Sequence, residues 1–185
     1  MNDKIIIGLI GEMGAGKSTL TQYLKEKYQA DTYRFSTALR NILQRLYLEE
    51  TRGHLQQLSQ ILRDTFGQDI LSRVVAEDAK NAEKKFIIIE GIRRPADIVC
   101  LKDNPGFHLV SLTAEPRIRY ERLTKRTENP DDQNKTWEQF QAEAEAEAEL
   151  QIKAVADLAE ASLDNSQTPA DLYRQIDLLI TEKWK

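Results

Sequence analysis

The chain has 185 residues, 41% of them hydrophobic, with 30 acidic against 26 basic side chains and a formal net charge of −4. This is the length of one domain with one core. The acidic balance argues against general nucleic-acid binding, and no apolar run approaches the ~20 residues of a membrane span. A single cysteine, Cys100, rules out an internal disulfide; with a chain that enters a strand by residue 5 and no secretory leader pattern, a reducing cytoplasm is the expected location.

In chain order, Ile5-Ile6-Ile7-Gly8-Leu9-Ile10 is a short β-branched run of the kind that forms a buried parallel strand. Gly11-Glu12-Met13-Gly14-Ala15-Gly16-Lys17-Ser18 follows, a full match to G-x-x-x-x-G-K-[ST]. Thr19 to Tyr28 then carries Leu20, Tyr23, Leu24 and Tyr28 at helical spacing, so the glycines sit between a strand and a helix, the context the motif requires. Thr32–Phe35, Phe86–Glu90, Phe107–Leu112 and Ala161–Asp164 read as further strands, and segments near 37–50, 54–66, 68–83, 95–102, 115–126, 136–158 and 169–182 as helices. Such alternation predicts an α/β fold with a parallel sheet covered on both faces. Three consecutive helices between the second and third strands, about 36–83, read as an inserted helical arm. The Ala-Glu repeat at 142–149 has a period of two, but both residues favour helix, so a solvated helix face is expected. His54, His108 and Cys100 read as structural.

The glycine-rich loop defines a ligand. Successive backbone N–H groups in such a turn curl around a β-phosphate, and the helix behind adds its positive end. Lys17 is placed to reach the β- and γ-phosphates and Ser18 to put its hydroxyl on Mg²⁺. Gly11, Met13, Gly14, Ala15, Gly16, Lys17, Ser18 and Thr19 form the expected nucleotide cradle, with ATP and Mg²⁺ as ligands.

Phosphoryl transfer needs cations beyond that loop. Arg40 follows the second strand, Arg63 lies in the helical arm, and Arg93 and Arg94 follow the third strand. Open α/β sheets bind ligands outside the carboxyl ends of their strands, so Ser36, Arg40, Arg63 and Arg93 are expected on an acceptor. Arg119, Arg122 and Arg126 share one helix face, and the polar segment after them, about 126–136, reads as a small lid bringing Arg126 onto the phosphates. Glu90, ending the third strand, is a candidate to orient Mg²⁺ or, for a hydroxyl acceptor, to take a proton.

These residues resemble those of nucleoside-monophosphate-kinase-like P-loop kinases, most closely the small adenylate-kinase-related and dephospho-CoA-kinase-like proteins. The likeness runs through the loop at 11–18, Leu62-Arg63 to Gly67, Glu90-Gly91-Ile92-Arg93, Arg119 to Arg126, Thr136-Trp137-Glu138-Gln139-Phe140 and Asn165. It implies a three-layer sandwich around a five-stranded parallel sheet of order 2-3-1-4-5, in a single domain spanning 1–185 with an acceptor arm and a lid. It also implies Arg40 and Arg93 on an acceptor phosphate, Arg122 near the donor adenine and Arg126 as the lid arginine. Ser36-Thr37-Ala38 stands where adenylate kinases carry Thr-Gly-Asp, which points to an acceptor other than AMP. The expected activity is transfer of the ATP γ-phosphate to a nucleoside or deoxynucleoside monophosphate by a monomer or homodimer, without nucleic acid or membrane partners. A kinase for a hydroxyl acceptor such as dephospho-CoA or a nucleoside, with Glu90 or Asp31 as base, is the alternative. A nucleotide-hydrolysing switch is a weaker one, since Asp64-Thr65-Phe66-Gly67 fits D-x-x-G only formally.

Overall fold

The computed structural model describes residues 4–125, 133, 135–144 and 147–184. Five strands form one parallel sheet: β1 (Ile5–Ile10), β2 (Asp31–Arg34), β3 (Phe86–Glu90), β4 (Phe107–Thr113) and β5 (Ala161–Asp164), in the order β2-β3-β1-β4-β5. The expected order and sheet are therefore present. β1 lies in the middle, with Ile7 opposite Ile88 on one side and His108 on the other, and every one of its residues is buried. That double burial is why its sequence reads as an uninterrupted apolar run.

Alternate residues of the strands feed two cores. Ile6, Ile10, Ile87, Ile89 and Leu109 face α2 (Phe35–Arg45), α4 (Ile70–Asn81) and α7 (Glu147–Ala156), which supply Leu39, Val75 and Val155. Ile7, Leu9, Ile88, Val110 and Leu112 face α1 (Lys17–Tyr28) and α8 (Pro169–Leu178), which supply Leu20, Leu24, Leu172 and Ile176. With α3 (Arg52–Phe66), helices α2 to α4 make the expected run of three between β2 and β3. The remaining helices are α5 (Pro116–Lys125) and α6 (Trp137–Ala144).

Several boundaries differ from the sequence reading. Phe35 opens α2 instead of ending β2. The ladder stops at the pair Arg34–Glu90, and Gly91 turns away at φ 85°, so a longer β2 would have no partner. α2 stops at Arg45 rather than running to 50. Tyr47 takes φ 57°, and the N–H groups of Tyr47 and Leu48 return to Gln44 O at 3.0 Å and Leu43 O at 2.9 Å. This is a Schellman closure with tyrosine in the place usual for glycine. The segment 95–102 holds only a 3-10 turn, Pro95–Ile98. Its Asp97 carboxylate accepts the N–H groups of Arg93 and Arg94, both at 3.0 Å, which caps the N-terminus of this one turn, but beyond Ile98 the chain goes into further turns instead of continuing as a helix. The single helix expected over 136–158 is described as α6 and α7, and 145–146, inside the Ala-Glu repeat, lie outside the described residues. So does most of the expected lid at 126–136.

α1 and α8 are joined by a polar clasp. Asp177 accepts from Tyr23 Oη at 2.6 Å, Tyr28 Oη at 2.7 Å and Lys27 Nζ at 2.7 Å, while Tyr23 stacks on Tyr173 with centroids 3.9 Å apart. Burial pushes the Tyr28 hydroxyl up to about 12. Burial also works to raise Asp177, but the three donors outweigh it and hold its carboxyl below the ordinary 3.8. A depressed carboxyl contributes stability above its unfolded-state value and loses it as pH falls through the folded-state value. Asp177→Asn is therefore expected to lower unfolding free energy by about 1–2 kcal/mol at pH 7. Chemical denaturation of both proteins should show this difference shrinking below about pH 4.

Candidate phosphate-binding site

The loop 11–18 is a close-fitting turn. Gly11, Gly14 and Gly16 have φ values of 157°, 79° and 102°. At Gly14 and Gly16 the left-handed region excludes side chains, and the surroundings do so again. A Cβ on Gly14 would lie 2.6 Å from the backbone oxygen of Arg119, and one on Gly16 would lie 2.0 Å from Asn165 Nδ2. The loop is thus seated against the first turn of α5 and the residue that follows β5. Asn165, 4% exposed, donates from Nδ2 to Ala15 O at 2.8 Å, and Arg122 Nη2 donates to Asn165 O at 2.9 Å.

Lys17 begins α1 and folds back over its own loop. Nζ donates to Glu12 O at 3.0 Å and also to Gly11 O. Ser18 and Thr19 follow on the exposed first turn, and Met13 and Ala15 complete the loop between the glycines. Glu90, at the end of β3, reaches α1: its Oε1 accepts from Thr21 Oγ1 at 2.6 Å, and its Oε2 pairs with Arg34 of β2. Glu90 is thus held against α1 at Thr21, one turn after Ser18 on the same helix. Among the described residues no cluster of three His, Cys, Asp or Glu side chains is arranged for a metal ion. A hydroxyl and one carboxylate are the kind of donors that suit Mg²⁺, which takes its other ligands from phosphate and water.

The three arginines expected on an acceptor have different surroundings, and the expected lid arginine is a separate case. Arg93 is exposed just beyond β3, its backbone N–H anchored on Asp97. Arg40 is exposed on α2 and pairs with Glu50 at 2.5 Å, holding that carboxyl below its ordinary value. Ser36, half-buried, lies one turn before it. Arg63 is 5% exposed, pairs with Asp97 at 2.9 Å and donates to Gln68 O. It thus ties α3 to the turn that carries Arg93 and Arg94. Arg126 lies outside the described residues.

Three residues at the site, one on the loop and two on Glu90, were not singled out from the sequence for these contacts. Arg119 reaches the loop directly, pairing with Glu12 at 3.2 Å, where the sequence placed it only on a helix face with Arg122 and Arg126. Arg34 and Thr21 hold Glu90. The i, i+3 spacing of Arg119 and Arg122 signalled a shared face, but not that the face turns toward the loop. A cleft of about 330 Å³ opens beside Gly11 and Glu12, between β4, β5 and α7, lined also by Ser111, Ser162, Lys153 and Asp157.

A central parallel strand, a glycine-rich loop and a helix, in a sheet of order 2-3-1-4-5, define a P-loop protein of kinase-like fold. The family model described as an AAA domain matches residues 7–148, and the chain belongs to that family. It is similar to UPF0200 protein MJ1399 of Methanocaldococcus jannaschii, at 27% identity over 96% of this chain and 90% of the relative. It is also similar to a UPF0200 protein of Staphylothermus marinus, at 26% identity over 92% and 89%. Among solved structures, its fold is similar to shikimate kinase from Bacteroides thetaiotaomicron, with a TM-score of 0.63, 16% identity and 95% and 98% of the two chains covered. TT1252 from Thermus thermophilus gives a TM-score of 0.59 at 17% identity over 97% and 98%. Among the described residues no helix is long and apolar enough to cross a membrane.

Gly16→Ala tests the seating of the loop. The added methyl meets Asn165 Nδ2 and a backbone angle that disfavours it, so the variant should lose detectable ATP binding by calorimetry while far-UV circular dichroism stays close to wild type.

Proposed function

We propose that this protein is an ATP-dependent phosphotransferase that moves the γ-phosphate of ATP to the phosphate of a small acceptor, a nucleoside or deoxynucleoside monophosphate. The observation that carries this reading is the contrast at the end of β3. Both oxygens of Glu90 are engaged, by Thr21 and Arg34, whereas Arg93 two residues beyond the turn has no ion-pair partner among the described residues. A hydroxyl acceptor needs a carboxylate at liberty to take its proton, while a phosphate acceptor needs cations and no base. The engaged Glu90 and the exposed Arg93 favour the second.

In this reading the loop amides and the N-terminus of α1 hold the ATP phosphates. Lys17 leaves the carbonyls of Gly11 and Glu12 to bind the β- and γ-phosphates. Ser18 and Glu90 would hold Mg²⁺, which when bound would neutralise charge on the transferring group. Arg93 and Arg40 take the acceptor phosphate, Arg40 by exchanging Glu50 for it. Ser36 contributes a hydroxyl, and Arg63 fixes the turn from which Arg93 projects. Arg122 borders the nucleotide from α5, and Arg126 belongs to the segment that covers the site. The acceptor arm, about 36–83, and the cover, about 126–136, are parts of a single kinase domain that acts in the cytoplasm.

An ADP-release assay across ribo- and deoxynucleoside monophosphates, nucleosides and dephospho-CoA decides the acceptor. A monophosphate should stimulate release, and Lys17→Ala should abolish the signal. Stimulation by nucleosides or dephospho-CoA alone would overturn the reading. Arg93→Met should raise the acceptor KM by about 10- to 100-fold, the worth of a charge-assisted hydrogen bond, and leave the ATP KM near wild type. Glu90→Gln should raise the Mg²⁺ concentration for half-maximal rate and recover with excess Mg²⁺. A base would instead cost about 10²- to 10⁴-fold in kcat at any Mg²⁺ concentration.

A further inference from the structure

Arg119 makes more contacts with the phosphate loop than any motif accounts for. It is 5% exposed. Nη2 lies 3.2 Å from Glu12 Oε2, Nη1 donates to Met13 O at 3.4 Å, and its backbone forms the wall against Gly14. The guanidinium lies over the Phe140 ring of α6 at 5.3 Å, and Nε has no hydrogen-bond partner among the described residues. Burying a guanidinium is costly unless it is paired and hydrogen-bonded, so this placement needs the loop contacts to hold it. Glu12 is in turn shared with Lys153 of α7 at 3.9 Å.

We propose that Arg119 is a positioning residue for the nucleotide, acting through the loop and not on the phosphates themselves. A peptide unit is planar and trans, so its C=O and the following N–H point in opposite directions. Arg119 pulls the Met13 carbonyl toward α5, on the outside of the loop, and thereby aims the Gly14 N–H into the phosphate cradle. Asn165 acts the same way on the next-but-one unit, holding Ala15 O and aiming the Gly16 N–H inward. Arg119 has a second effect. Glu12 is a carboxylate inside a loop that binds a polyanion, and the guanidinium cancels its field there. Losing Arg119 therefore releases an amide and also uncovers a negative charge.

The inference rests on the donor half of the proposed reaction only, so it is tested by binding of Mg-ATP to the full chain, measured by calorimetry without any acceptor. Arg119→Met should weaken ATP by about 10- to 100-fold, as expected for loss of a charge-assisted contact. Arg119→Lys should recover part of this, since an ammonium keeps the charge but cannot span both loop groups. Adding Glu12→Gln to Arg119→Met should tighten ATP relative to Arg119→Met alone, a recovery that a purely structural arginine would not show. Asp177→Asn, which loosens α1 against α8 far from Arg119, controls for lost stability and should keep ATP affinity within about twofold of wild type. The inference fails if Arg119→Met or Arg119→Lys binds ATP as wild type does, or if Glu12→Gln gives no recovery. Absence of ATP binding by the wild-type chain would instead sink the nucleotide reading itself, and this inference with it.

Discussion

The whole site depends on how closely a bare backbone can approach its neighbours. Between β1 and α1 the chain passes within van der Waals reach of three separate elements: the end of β4 at Leu112, the start of α5 at Arg119, and Asn165 after β5. Any side chain at Gly11, Gly14 or Gly16 would occupy space those elements already fill. The glycines therefore do two things at once. They permit the turn, and they let the sheet's far edge and α5 pack directly against it. Because β4, α5 and β5 come from the second half of the chain, a loop at residues 11–18 is given its shape by residues as many as 150 positions later.

The same economy governs charge. Net charge is negative, yet four acidic side chains at or near the site are each matched by a specific base. Glu12 meets Arg119 and Lys153, Glu90 meets Arg34, Glu50 meets Arg40 and Asp97 meets Arg63. These pairs differ in kind. Arg63–Asp97 is dry, and removing one partner would leave an uncompensated buried charge. Arg40–Glu50 is open to solvent, where exchange of one carboxylate for another anion is nearly neutral. Burial thus divides the arginines into those that hold the scaffold and those at liberty to hold a ligand.

Much of this was legible in the residues. The apolar runs of β1, β3 and β4 stood out because a parallel sheet buries both faces of its central strands, the edge strands β2 and β5 carried no such run, and the glycine-rich loop marked its own position between β1 and α1. What sequence could not resolve was long-range geometry. Arg63 and Arg93 look alike in a string of letters, and only the packing of α3 under the 91–97 turn separates a buried brace from an exposed cation. Arg119 and Arg122 showed helical spacing, but spacing fixes a face and not its neighbour. Boundary errors had local causes: a strand that ended where its partner ended at Glu90, and a helix closed by tyrosine where glycine is the usual signal.

The Arg63–Asp97 bridge has a mechanical consequence. It joins the middle helix of the arm to the turn that holds Arg93 and Arg94, so these parts share one frame of reference. A hinge of the arm would have to lie on the far side of that bridge, at the ends of α2 and α4, because opening it across α3 would break a buried ion pair at a cost of about 3–5 kcal/mol. The turn itself runs on from β3 between Ile92 and Ile98, both buried in the core, so the bridge fastens the middle of the arm to the end of the sheet. Whatever moves at the outer ends of α2 and α4, the buried middle of the arm and the turn that carries Arg93 keep one spacing.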